Sequence, residues 1–344
     1  MADPRQRLLL DVDTGIDDAV ALLYLLATPG VSIEAITCTA GNVGAVQVAR
    51  NNLALLELCG HAGVEVAIGS EVPLEVPLVT TEETHGAQGI GYAVLPSPRG
   101  HISHRSAVDV WLEAVRRHPG QITGVVTGPL TNFALALRAE PNLPMLLKGL
   151  VIMGGAFNYP GNTTPVAEWN TYVDPHAAKE VYAAYEGLPV EKLPVVCALE
   201  TTERIACTPA HVDAVARAAG TGPELLSPGD PEGTRSASAN AVVACLSDAL
   251  RFYMEFHRLH DQGYVAHVHD LFAAMVATGE AKFEERLATV DVEVMSGLTF
   301  GQTVADFAGM WKRLPNARIV SRNYPEAVFA LMVRRLADLA RKHG

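Results

Sequence analysis

Asp11-Val12-Asp13-Thr14-Gly15-Ile16-Asp17-Asp18 places four carboxylates within eight residues. Crowded carboxylates repel one another, and each becomes harder to ionise unless positive charge sits among them. One aspartate in such a run needs no more than a helix to cap; four together point to a cation. An all-oxygen ligand set selects Ca²⁺ or Mg²⁺ over zinc. Asp11 and Asp13 are two apart, so they leave a strand on the same side. Gly15 permits a turn. Asp17 and Asp18 then enter the first turn of a helix, where the dipole favours negative charge.

The run must therefore join a strand to a helix, and the surrounding chain repeats that pattern. Strands are predicted at Arg7–Val12, Ser32–Thr39, Ile122–Thr127, Leu150–Met153 and Leu193–Leu199, each rich in Val, Ile or Leu and stopped by Gly, Asp or a polar cluster. Amphipathic helices are predicted at Asp17–Ala27, Ala45–Cys59, Ala107–Arg117, Thr131–Glu140 and Asp174–Tyr185. Strands that alternate with helices and read as nearly continuous apolar runs imply a parallel sheet covered on both faces. The expected fold is α/β, a mostly parallel central sheet flanked by helices in an open Rossmann-like arrangement. Ala288–Val304 reads as two strands around Ser296-Gly297, which makes one sheet edge mixed. Ligands of such sheets bind at the carboxyl ends of the strands, where the aspartates lie.

The chain has 344 residues, 49% of them hydrophobic and 19% charged, too apolar for a disordered protein. No proline- or serine-rich linker divides it, and Ser227–Ala239 reads as a surface loop, so residues 1–344 are expected to form one domain. The net charge of −12 argues against a nucleic-acid surface, which needs a basic stripe, but not against an uncharged nucleoside. No apolar run approaches the roughly 18 residues of a membrane span, and the N-terminus lacks the apolar core of a signal peptide. Five cysteines without a C-x-x-C pair read as reduced thiols of a cytoplasmic protein.

Asp11–Leu22, DVDTGIDDAVAL, resembles the N-terminal signature of the calcium-dependent nucleoside hydrolases. The resemblance continues in order along the chain. It takes in Ala40-Gly41-Asn42-Val43, Thr84-His85-Gly86 with Gly89 and Gly91, and Thr127-Gly128-Pro129-Leu130-Thr131-Asn132. Met153-Gly154-Gly155, then Asn162, Glu168 and Asn170, the pair His269-Asp270 and the tail from Gly301 to Ala317 complete it. Three departures remove no metal ligand but blur the substrate subgroup: Leu271 follows Asp270 and Thr14 follows Asp13 where the family has proline, and Phe300 stands where it has arginine.

The resemblance implies a ribonucleoside hydrolase of the inosine/uridine-preferring type that cleaves the N-glycosidic bond of purine or pyrimidine nucleosides to free base and ribose. It implies Ca²⁺ held by Asp13, Asp18, the Thr127 carbonyl and Asp270, with Asp13 as general base toward a water held by the ion. It places Asp17, Asn42, Asn162, Glu168 and Asn170 on the ribose hydroxyls, and His85 and Met153 in the substrate pocket. Cleavage of an N-glycoside passes through an oxocarbenium-like state, so the base must leave with help from an acid. His269, beside Asp270, is the leading candidate. His267, and Tyr253, His257 and His260 at helical spacing, can line the base pocket or simply pack. A homodimer or homotetramer is implied as well. Two rivals stand beside this reading: a non-catalytic nucleoside-binding protein, and a haloacid-dehalogenase-type phosphatase, which also begins with a strand and D-x-D. A P-loop and a G-x-G-x-x-G fingerprint are both absent.

Overall fold

Leu8, Leu9 and Leu10 are almost wholly buried, yet they belong to two different cores. Leu8 and Leu10 pack on one face of the central sheet and Leu9 on the other. Val125 and Val126 divide in the same way, as do Val151 and Ile152 and then Val195 and Val196. Alternation of side chains along a strand makes this unavoidable, and a strand apolar on both sides is stable only with helices over both faces.

The computed structural model describes residues 6–343. Its strands are β1 (Gln6–Val12), β2 (Val31–Cys38), β3 (Glu65–Ile68), β4 (Ile122–Val126), β5 (Gly149–Met153), β6 (Val195–Cys197), β7 (Ala206–Cys207), β8 (Ala266–His267), β9 (Phe283–Val292), β10 (Thr303–Asp306) and β11 (Ala317–Asn323). Nine of them form one sheet in the order β10-β9-β11-β6-β5-β4-β1-β2-β3, and β7 pairs with β8 apart from it. From β11 to β3 all neighbours are parallel. β9 runs antiparallel to both β11 and β10, so the edge is mixed as expected.

The boundaries of that edge differ from the sequence expectation. The antiparallel pair begins at Phe283 and ends at Asp306, around a loop of residues 293–302. Its first half, Glu284–Leu287, is exposed and carries no apolar alternation for a pattern to detect. Leu193–Leu199 shortens to β6 because Leu199 already opens a helical turn, Leu199–Thr202. The five predicted helices appear within one residue of their expected ends, as Ile16–Leu26, Ala45–Leu58, Ala107–Arg117, Thr131–Ala139 and Pro175–Ala184.

β1 lies between β2 and β4, so the chain reverses its direction of travel across the sheet there. Crevices at such switch points, beyond the carboxyl ends of the strands, are where α/β sheets bind ligands. Asp13 follows β1 at this point and Thr127 follows β4, while Asp11 stays within β1 with its carboxylate held by Thr37 and Asn132. All five cysteines are buried and unpaired. Among the described residues no helix is long and apolar enough to cross a membrane.

Candidate active site

Asp13, Asp17 and Asp18 meet Asp270 in one buried cluster, although Asp270 lies some 250 residues further along the chain. β1 delivers Asp13. The first turn of helix Ile16–Leu26 delivers Asp17 and Asp18, and that of helix His269–Ala277 delivers Asp270. Carboxylate oxygens of Asp17, Asp18 and Asp270 come within 4.8 Å of one another, the spacing of ligands around one ion. Asp17 and Asp270 also hydrogen-bond to each other. The tightest trio thus includes Asp17, expected on the ribose, and leaves Asp13 beside it.

The cluster is held from outside. Asp18 Oδ2 accepts from Gly15 N at 2.9 Å and Oδ1 from the Thr127 hydroxyl at 2.7 Å. Asp13 Oδ2 accepts from Asn42 N at 2.9 Å, while Asp13 Oδ1 is buried with no partner. Gly41 makes this approach possible, since a Cβ there would stand 2.2 Å from Asp13 Oδ2. Burial first, then repulsion from Asp18, pushes the Asp13 carboxyl well above its ordinary range. Burial and Asp18 likewise lift Asp17 to about 7. Burial, then Asp17, Asp18 and Asp13, lifts Asp270. The set is therefore poor in positive charge and rich in oxygen, which fits a hard divalent cation. The Thr127 carbonyl accepts from Asn170 Nδ2 at 2.6 Å and keeps a second lone pair.

A cleft of about 340 Å³ opens over the cluster, within the range of small-molecule sites. Asp17, Asn42, His85, Thr127, Met153, Asn162, Glu168, Asn170, His269 and Asp270 all line it. Their freedom differs. Asn42 Oδ1 is buried without a partner and available to a ligand. Glu168 is already engaged: its two oxygens accept from Gly155 N, Asn170 N, Thr171 N and the Thr171 hydroxyl, capping helix Trp169–Val173. Asn162 sits exposed at the rim, with Oδ1 taken by Trp169 N at 2.9 Å. His85 Nδ1 accepts from Ile16 N at 3.1 Å, and burial lowers its pKa to about 3.

His269 is buried with Nδ1 2.8 Å from the Thr202 hydroxyl. Burial, then His267, His257 and His85, holds it well below the usual histidine range, so the ring is neutral at pH 7. Tyr253, Phe256, His257 and His260 line the cleft from helix Ala241–Leu259 and its cap. Sequence reasoning named three of these and missed Phe256, which shares their i, i+3, i+4, i+7 spacing. It also missed Trp169, Glu203 and Gln262. No spacing rule marks them, because they come from loops and helix ends that only the fold brings together.

The family model described as inosine-uridine preferring nucleoside hydrolase matches residues 8–330. The chain belongs to that family. The chain is 34% identical over 314 residues to the pyrimidine-specific ribonucleoside hydrolase RihA of Escherichia coli O9:H4 (strain HS), covering 91% of this chain and 92% of that one. Among solved structures it is similar to the purine-preferring ribonucleoside hydrolase from Gardnerella vaginalis, with TM-score 0.84, 25% identity, and coverage of 98% and 99%. A plant nucleoside hydrolase, PpNRh1, superposes with TM-score 0.83 at 26% identity, covering 97% of this chain and 99% of that one. This nucleoside hydrolase is an enzyme acting on N-glycosyl compounds, and it hydrolyses ribonucleosides to base and ribose. The phosphatase reading and that of a binding protein without catalysis give way to these matches over nearly the whole chain.

Proposed function

We propose that the hydrolase binds one Ca²⁺ through Asp13, Asp18, the Thr127 carbonyl and Asp270, and uses Asp13 as its general base. The observation that carries this reading is Asp13 itself, buried, fixed through Oδ2 and orphaned at Oδ1, beside three more buried carboxyls. When bound, the cation supplies the positive charge that lets these carboxyls ionise and the Lewis acidity that makes a water easier to deprotonate. Asp13 Oδ1 takes the proton of the water that attacks C1′ of the ribose. Asp17, Asn42 and Asn170 hold the ribose hydroxyls, with Asn162 and Glu168 at the margins. His85 and Met153 bound the sugar from the cleft wall. Tight grip on the ribose turns binding energy into stabilisation of the oxocarbenium-like state. The neutral His269 donates a hydrogen bond from Nε2 that stabilises the departing base, while the Thr202 hydroxyl fixes Nδ1.

Purine and pyrimidine nucleosides both suit a cleft of this kind, and relatives described as pyrimidine-specific ribonucleoside hydrolases support pyrimidine ribonucleosides as substrates. Residues 1–344 acting as one folding unit, a homodimer or homotetramer, and a cytoplasmic setting complete the reading; five buried free thiols support the last. The test is calcium titration of chelated protein with ribose release as the readout. Activity restored by about one Ca²⁺ per chain is expected, and full activity after chelation would overturn the metal assignment.

A further inference from the structure

We propose that Glu203 reads the nucleobase: its carboxylate accepts a hydrogen bond from an exocyclic amino group, so the cleft favours cytidine over uridine and, among purines, adenosine over inosine. The inference rests on the reading above that ribose occupies the carboxylate end of the cleft.

The fold sets a direction along the cleft. Asp270 marks one end, and His269 is its neighbour in the chain. The His267 ring lies 5.8 Å from that of His269, and His267 Nδ1 is 2.8 Å from the Glu203 carbonyl oxygen. A second path gives the same order. The His269 ring meets the Thr202 hydroxyl, and Glu203 follows Thr202 at the end of helix Leu199–Thr202. Tyr253 lines the same cleft as Asp270 and Glu203. A nucleoside with its ribose on Asp270 therefore extends its base toward Glu203.

The side chain is prepared for such a contact. Glu203 is half-buried in the cleft wall, and its Oε2 accepts from the Tyr159 hydroxyl at 2.6 Å. Among the described residues nothing donates to Oε1. A carboxylate only accepts. The amino group of cytosine donates to it, a pairing that glutamate makes with base edges generally. The oxo group at the same place in uracil presents lone pairs instead and leaves the carboxylate without its partner, the situation in which polar sites reject an analogue. Gln262 and His260, which also line the cleft, can each donate or accept and do not discriminate.

The experiment compares kcat/KM for cytidine, uridine, adenosine and inosine in the wild type, Glu203→Gln and Tyr159→Phe. Glutamine keeps the shape but can turn an N–H toward an oxo group. The amino-to-oxo preference should fall roughly ten- to a hundredfold in Glu203→Gln. It should fall by less, in the same direction, in Tyr159→Phe, where the carboxylate remains but loses its anchor. Tyr159 is exposed, so this second variant reports even if Glu203→Gln misfolds. An unchanged preference in an active enzyme overturns the Glu203 assignment alone. A wild type that releases ribose from none of the four nucleosides overturns the ribose assignment and this inference with it.

Discussion

In the proposed mechanism Asp13 is the residue on which the chemistry turns, and its surroundings make distinct demands. Asp13→Ala should lower kcat by roughly 10²–10⁴-fold, the range of a lost general base, with far-ultraviolet circular dichroism unchanged; near-normal kcat would remove it from that role. Gly41→Ala should also reduce kcat, by roughly tenfold or more, because the new methyl group must displace Asp13 Oδ2. His269→Ala should cost more with inosine than with p-nitrophenyl riboside, whose leaving group needs little protonation; equal losses would argue against a donor role. The aspartates were legible in the sequence because four carboxylates in eight residues have few innocent explanations. Glu168 and Asn162 were less so. Their residue types serve loops and caps as readily as ligands, and in the structure Glu168 is spent largely on capping and Asn162 on a turn.

At the scale of elements, the central strands hold the site in place. Leu9 is fully buried on β1, four residues before Asp13. Leu9→Ala should destabilise the chain by about 2–5 kcal/mol, read from denaturant unfolding. At the mixed edge, burial raises the pKa of Asp291, but the hydrogen bonds from Lys179 and Arg313 outweigh it and the net shift is downward. A carboxyl depressed in the folded state stabilises the fold above its unfolded pKa, and that contribution is lost as pH falls through the folded value. Asp291→Asn should therefore lower stability at pH 7 and flatten its decline in acid. Parallel β1, β4 and β5 could be read closely from sequence because burial on both faces makes their cores nearly continuously apolar. β9 could not, since its outer half is polar and exposed, and its partner β11 is defined only by the pairing.

Across the whole molecule, Asp13, Thr127 and Asp270 come from β1, β4 and the helix after β8, so the site exists only when the sheet is assembled. Heat unfolding should then show one transition, moved upward by calcium. A ligand at about a hundred times its Kd adds about 2.7 kcal/mol to folding. A transition indifferent to calcium would contradict this coupling. The net charge of −12 also acquires a location, since part of the acidic excess lies in the buried cluster rather than on the surface. The most direct test is the release of free base and reducing sugar from inosine, adenosine, guanosine, uridine and cytidine by chelated and calcium-reconstituted protein. Equimolar base and ribose from at least one nucleoside, only when calcium is restored, is the expected result. Release of neither product from all five, or full release by the chelated protein, would contradict the account.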